Sequence, residues 1–156
     1  MSELTLEQRA TNYETLLHIQ QVQQCLNKFV AELLRRSELH DQSKLATPEV
    51  EAFTEHTSKL RATTYGSAEY NAAKDAMAPA LKHHYAKNRH HPEHYANGIT
   101  DMNLIDLVEM FCDWKAATMR HNDGNLRKSI THNADRFSMS PQLVQILDNT
   151  VELFDQ

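Results

Sequence analysis

Glycine is nearly missing from this chain, with three residues in 156. That shortage excludes a Gly-rich phosphate loop and weighs against β-rich folds built on tight turns. Cysteine is scarcer still. Cys25 and Cys112 are too few and too far apart for a disulfide framework or a Cys-x-x-Cys metal site. Their apolar helical company predicts that both pack as small hydrophobes. No run is long and apolar enough to span a membrane, and Met1-Ser2-Glu3-Leu4-Thr5 carries no signal-peptide pattern. These absences point to a reducing, cytoplasmic compartment. Positive charge is also short: the formal net charge is -5, whereas a nucleic-acid-binding protein would want a basic face. A nucleotide substrate stays compatible, because a bound metal supplies local positive charge. There is no internal repeat, no low-complexity tract and no linker, so residues 1–156 read as one domain with one core. Period-2 alternation is absent as well, which leaves an all-α chain of about five to seven helices.

Helix signals recur along the whole length. Thr5-Leu6-Glu7-Gln8 has the form of a capping box opening a long helix that fades near Arg35-Arg36-Ser37. Leu17, Val22, Leu26, Phe29, Val30 and Leu33 recur there at helical spacing, and His18 shares the face of Val22 and Leu26. Thr47-Pro48-Glu49 reads as an N-cap with proline at the first helical position, opening a helix to about Leu60. Another begins at Ser67, with Tyr70, Ala73, Met77 and Leu81 on one side, and Pro79 should bend or interrupt it. The stretch from His83 to Gly98 reads as a helix end followed by a loop. Asp101 or Asn103 caps the next helix, which runs to about His121 with Leu104, Leu107, Val108, Phe111 and Trp114 as its core face. A turn at Asp123-Gly124-Asn125 and a short helix through Ile130 follow. Ser140-Pro141 opens a terminal helix whose Leu143, Ile146, Leu147, Val151 and Leu153 suit either the core or a homodimer contact.

Histidine is what the chain has in excess. There are ten, and five fall between His83 and His94. Alone, a histidine on an apolar helix face is usually a packed core residue, and a His-Asp dipeptide means little. Here His18, the pair His40-Asp41 and Asp113 follow one another on helices that could converge. Two imidazoles and two carboxylates suit a divalent ion such as Mn²⁺, Co²⁺, Mg²⁺, Zn²⁺ or Fe²⁺, and leave positions open for water and substrate. Adjacent residues on a helix point about 100° apart, so His40 and Asp41 can share an ion only near a helix end. The boundary between Ser37 and Thr47 provides one. The cluster His83, His84, His90, His91 and His94 could bind a second metal, bind phosphate or supply a general acid. His84, His90 and His91 are expected to face the site. Lys44, one turn past the pair, and Arg120, seven residues past Asp113, are candidates for holding a phosphate.

His40-Asp41-Gln42-Ser43-Lys44 and the order His, His-Asp, Asp resemble the HD phosphohydrolase superfamily. More closely, Asn88-Arg89-His90-His91 after His84, followed by Asp113-Trp114, resembles the HD-like domain-of-unknown-function 5662 group of bacteria and phages. The match runs from about His18 to Arg120. It implies an HD-like helical bundle. It implies His18, His40, Asp41 and Asp113 as metal ligands, with one ion and room in the pattern for a second. Beside these ligands, Lys44, His84, His90 and His91 are the catalytic candidates, and Asn88 and Arg120 the candidates for substrate contact. The activity implied is metal-dependent hydrolysis of a small phosphate ester, most naturally a nucleotide. Two alternatives stay open: an HD-like di-iron oxygenase, and a helical module that binds a nucleotide or a partner without turnover. Arg89-His90-His91-Pro92, Asn103-Leu104 and His121 superficially resemble HNH nucleases, but that motif needs a β-hairpin and nothing here alternates like one.

Overall fold

The computed structural model describes residues 3–62, 68–120 and 124–154, with the side chains of 57–62, 70, 71, 73 and 74 left aside. The expectations placed on Leu60, Ser67, Tyr70, Ala73, His121 and Asp123 therefore lie wholly or partly outside the described residues. Among those described there is no strand, and the class is all-α, as the sequence predicts. No described helix is long and apolar enough to cross a membrane. The chain divides into two compact units, Met1–Glu38 and Leu39–Gln156.

The first unit is essentially one helix, α1 (Leu6–Leu39). It opens on the capping box read from the sequence: Gln8 N–H donates to Thr5 Oγ1 at 3.2 Å and Thr5 N–H to Gln8 Oε1 at 2.8 Å. No glycine or proline interrupts it, so it continues past Ser37, where the sequence reading ended it. Within its own unit its apolar stripe is not a core face. Leu17, Val22, Leu26, Phe29 and Val30 are between 37% and 59% exposed, and Cys25 is exposed too. A lone helix has no opposing layer within its own unit against which to bury a stripe.

The second unit carries α2 (Glu49–Ala62), α3 (Ala68–Ala76), α4 (Ala78–Lys87), α5 (Leu104–Thr118), α6 (Leu126–Arg136) and α7 (Pro141–Thr150), with short 3-10 turns between them. Pro79 does interrupt a helix: α3 stops at Ala76 and α4 restarts with the proline in its first turn. Helices α2, α3 and α4 pack on one another. So do α5, α6 and α7, around Phe111, Leu126, Ile130, Met139, Leu147 and Val151. Ion pairs tie the two groups through the loop after α4. Arg89 reaches Asp106 at 3.2 Å, Tyr95 Oη donates to the same carboxylate at 2.7 Å, and Arg136 pairs with Glu93.

Helix α5 is phased differently from its expected apolar face, and this decides the site. Asn103 forms the N-cap in a capping box with Asp106, and the helix stops at Thr118 rather than near His121. Leu104 and Val108 are 66% and 42% exposed. Cys112 is also exposed, not packed as expected. At 100° per residue the inward arc runs from Glu109 and Asp113 through Asp106, Met110 and Trp114 to Phe111. One edge of that arc is apolar and reaches the core. The other is acidic. Helix α6 continues beyond Ile130 to Arg136, and α7 begins as read, with Ser140 Oγ accepting from Leu143 N–H. In α7 Ile146 is exposed and Leu147 buried, and in the 3-10 turn that follows (Val151–Phe154) Val151 is buried and Leu153 exposed.

Candidate metal centre

His40 and Asp41 sit where α1 has just ended and a 3-10 turn (Gln42–Leu45) begins. Asp41 has φ 56°, in the left-handed region that Asp tolerates better than most residues. That reversal lets two adjacent side chains reach one space, which a continuing helix would forbid. The junction expected from sequence is therefore present.

Four donors from three segments meet beside Asp41. They are Asp41 itself, His84 near the end of α4, and His90 and His91 in the loop that follows. Their ligand-type atoms all lie within 4.8 Å of one another. His84 Nε2 is 3.4 Å from Asp41 Oδ1, His90 Nε2 is 3.6 Å from the same oxygen, and His84 Nε2 is 2.8 Å from His91 Nε2. Bonds of about 2.1 Å place the ligands of one ion about 3.0 Å apart in an octahedron and about 3.4 Å apart in a tetrahedron. The observed separations fall around those values. Asp41 Oδ1 and His90 Nε2 are buried with no hydrogen-bond partner, a costly arrangement for protein alone. The donor set thus fits a divalent cation. A second grouping shares Asp41: His40 Nε2 is 3.6 Å from Asp41 Oδ2 and 3.6 Å from Asp113 Oδ1.

Two glutamates, one fully buried and one partly buried, orient these imidazoles, and the sequence reading missed the role of both. Glu109 Oε1 lies 2.9 Å from His40 Nδ1 and 3.0 Å from His90 Nδ1. Glu49, fully buried, has Oε2 2.9 Å from His84 Nδ1 and Oε1 2.7 Å from His83 Nδ1. A carboxylate at Nδ1 holds the proton there and leaves the Nε2 lone pair for the centre. A signal for Glu109 existed. It precedes Asp113 by one helical turn, so both acids share an edge of α5. Glu49 had a weaker one, as an acid at the start of a helix beside Pro48.

The electrostatics follow from this packing. His40 is raised to about 10, first by the Asp113 carboxylate and then by Glu109. Asp113 is lowered because His40 and the neighbouring imidazoles outweigh its burial. Burial alone would raise Asp41, but the hydrogen bond and charge of Lys44 bring it below the usual carboxylate range. His91 is pushed down to about 3 by burial, then by His90 and His84, and burial also lowers His84. The lowered His84 and His91 and the ionised carboxylates are in the protonation states a cation needs, whereas the raised His40 must lose a proton before its Nε2 can bind one.

The remaining expected site residues divide. Lys44 Nζ donates to Asp41 Oδ2 at 2.6 Å, and its ammonium lies 5.5 Å from the centre of the Phe53 ring. Asn88 is buried, and its amide donates to Ser43 Oγ and to the His84 carbonyl, both at 2.8 Å. Those bonds hold the end of α4 in place, so its donors face protein rather than an open site. His94 donates from Nδ1 to the Tyr85 carbonyl at 2.8 Å. Arg120 is exposed in the turn beyond α5, so it does not continue the Asp113 face as expected. His18 is exposed on α1 and belongs to none of the ligand groupings found among the described residues.

The orienting role of Glu109 can be measured. Glu109→Gln keeps the shape but no longer holds the Nδ1 protons of His40 and His90 with a negative charge. Affinity for Mn²⁺ or Zn²⁺ by calorimetry should fall about 10- to 100-fold, as for other outer carboxylates. An unchanged dissociation constant would show that Glu109 orients nothing that binds metal.

No curated protein and no solved structure matches this chain. A family profile does match, over residues 7–153, nearly its full length. The chain therefore belongs to the family of unknown function DUF5662.

Proposed function

We propose that this protein is a divalent-metal-dependent phosphohydrolase acting in the cytoplasm on a nucleotide or a related small phosphate ester. The observation that carries the reading is the pair of orphaned buried atoms, Asp41 Oδ1 and His90 Nε2, inside a four-donor cluster. Three imidazoles and one carboxylate favour Mn²⁺, Co²⁺, Fe²⁺ or Zn²⁺ over the all-oxygen surroundings that Mg²⁺ prefers. An ion held there would act as a Lewis acid on a phosphoryl oxygen and make water more acidic. The protein's own part is to hold His84, His90 and His91 through Glu49 and Glu109, and to keep the Lys44 ammonium beside Asp41, where it can meet a phosphate oxygen. The convergence of the three Nε2 atoms argues for ligand roles over the acid–base roles first expected of these histidines. His40-Asp41 with Asp113 and the loop histidines also supports reading the family as HD-like.

Asp41 facing two donor groups favours a second reading, an HD-like di-iron oxygenase. The test is a panel of nucleotides and phosphodiesters with Mn²⁺, Co²⁺, Zn²⁺ or Mg²⁺. Phosphate release that EDTA abolishes and added metal restores is expected. Release that survives EDTA would sink metal-dependent hydrolysis, and iron-dependent oxygen uptake without phosphate release would favour the alternative.

A further inference from the structure

The two oxygens of Asp41 face different surroundings. Oδ1 looks toward His84 and His90 and has no hydrogen-bond partner. Oδ2 faces His40 Nε2 and already accepts a 2.6 Å hydrogen bond from the Lys44 ammonium. The second grouping, His40 with Asp41 and Asp113, thus has a cation on its shared carboxylate.

Lys44 is held there. Its backbone N–H donates to the Asp41 carbonyl at 2.9 Å, so the 3-10 turn returns it over the aspartate it pairs with. Its ammonium also lies against the Phe53 ring. A divalent ion on Oδ2 would be close to this ammonium, and the two would repel strongly in a partly buried site. We propose that Lys44 takes the place of a second metal ion. One ion would be held by Asp41 Oδ1, His84, His90 and His91, and the ammonium would supply the positive charge at Oδ2.

This rests on the metal reading above and deepens it. An ammonium can neutralise a phosphate oxygen as a second ion would. It cannot store an electron or bind oxygen. The arrangement therefore favours hydrolysis over chemistry that needs two redox metals.

The test is an ion count. Wild type, Lys44→Met and Lys44→Arg are loaded with Mn²⁺, desalted, and measured by elemental analysis and native mass spectrometry, with circular dichroism checking each fold. One ion per chain is expected in wild type and in Lys44→Arg, and two in Lys44→Met. The Mn²⁺ electron paramagnetic spectrum should change to that of a coupled pair only in Lys44→Met. Two ions in wild type would overturn the lysine proposal and leave the metal reading standing. One ion in a folded Lys44→Met would overturn it as well. No ion in any of the three would overturn the metal reading and this proposal with it. Should Lys44→Met not fold, Lys44→Gln removes the charge with a polar head group, and the wild-type count alone still decides between one ion and two.

Discussion

Saturating Mn²⁺ or Zn²⁺ is expected to raise the thermal unfolding midpoint of the metal-stripped protein by about 10 °C. Asp41 lies 43 residues before His84, and His90 and His91 sit in the loop after it, so only the folded chain presents all four donors together. A ligand that binds the folded state alone stabilises by RT ln(1 + [L]/Kd), which is about 4 kcal/mol at a thousandfold excess over Kd. For chains of this size each kcal/mol moves the midpoint by about 2–4 °C, giving a rise of about 8–16 °C. The ion also meets the unpartnered Asp41 Oδ1 and His90 Nε2, whose burial the metal-free fold leaves uncompensated. Calorimetric scans with and without excess metal, at several metal concentrations, measure the effect. A shift under about 2 °C at saturation would mean that the cluster is a buried hydrogen-bond network and not a cation site.

The sequence exposed the parts of this arrangement that local chemistry controls. Thr5 and Gln8, Asn103, and Ser140 with Pro141 start helices because their side chains satisfy first-turn N–H groups, which needs no tertiary information. The His40-Asp41 junction was legible because adjacent ligands need a helix end. What failed was the assignment of faces. The stripe on α1 reads as core by spacing, yet spacing does not say whether an opposing layer exists. On α5 the apolar count drew the predicted face toward Leu104 and Val108. The fully buried Asp106 and the partly buried Glu109 turn the helix the other way, and charged residues are almost never fully buried unless paired. Their partners, Arg89, Tyr95, His40 and His90, lie at least eleven residues away in sequence, so no window of helical periodicity contains them. The same long-range pairing explains the histidines. His84 and His91 are seven residues apart, a spacing that would put them on one face only of a continuous helix. In the fold α4 ends at Lys87 and the loop brings His91 back toward His84.

Asp41→Asn should lower metal affinity by on the order of 100-fold or more while leaving the metal-free protein about as stable as wild type. Asparagine is the cleanest replacement, because it tolerates the left-handed backbone at φ 56° as aspartate does. The substitution removes the only carboxylate of the four-donor grouping. Outer-shell substitutions already cost about 10- to 100-fold, and a direct ligand should cost at least as much. In the absence of metal two effects oppose each other. The variant loses the ion pair with Lys44, worth about 1 kcal/mol or less for partly exposed partners. It also removes the charge from a buried, unpartnered oxygen, a gain of similar size. Metal titrated into both proteins should therefore separate their unfolding midpoints, with wild type rising and Asp41→Asn nearly still. Calorimetric titration gives the affinities, and scans give the midpoints. If the variant binds within about threefold of wild type, a difference of only about 0.7 kcal/mol, Asp41 is not a ligand and the centre must be sought elsewhere. If the metal-free variant unfolds before the comparison can be made, Asp41 serves the fold through Lys44 instead, and the ligand assignment falls with it.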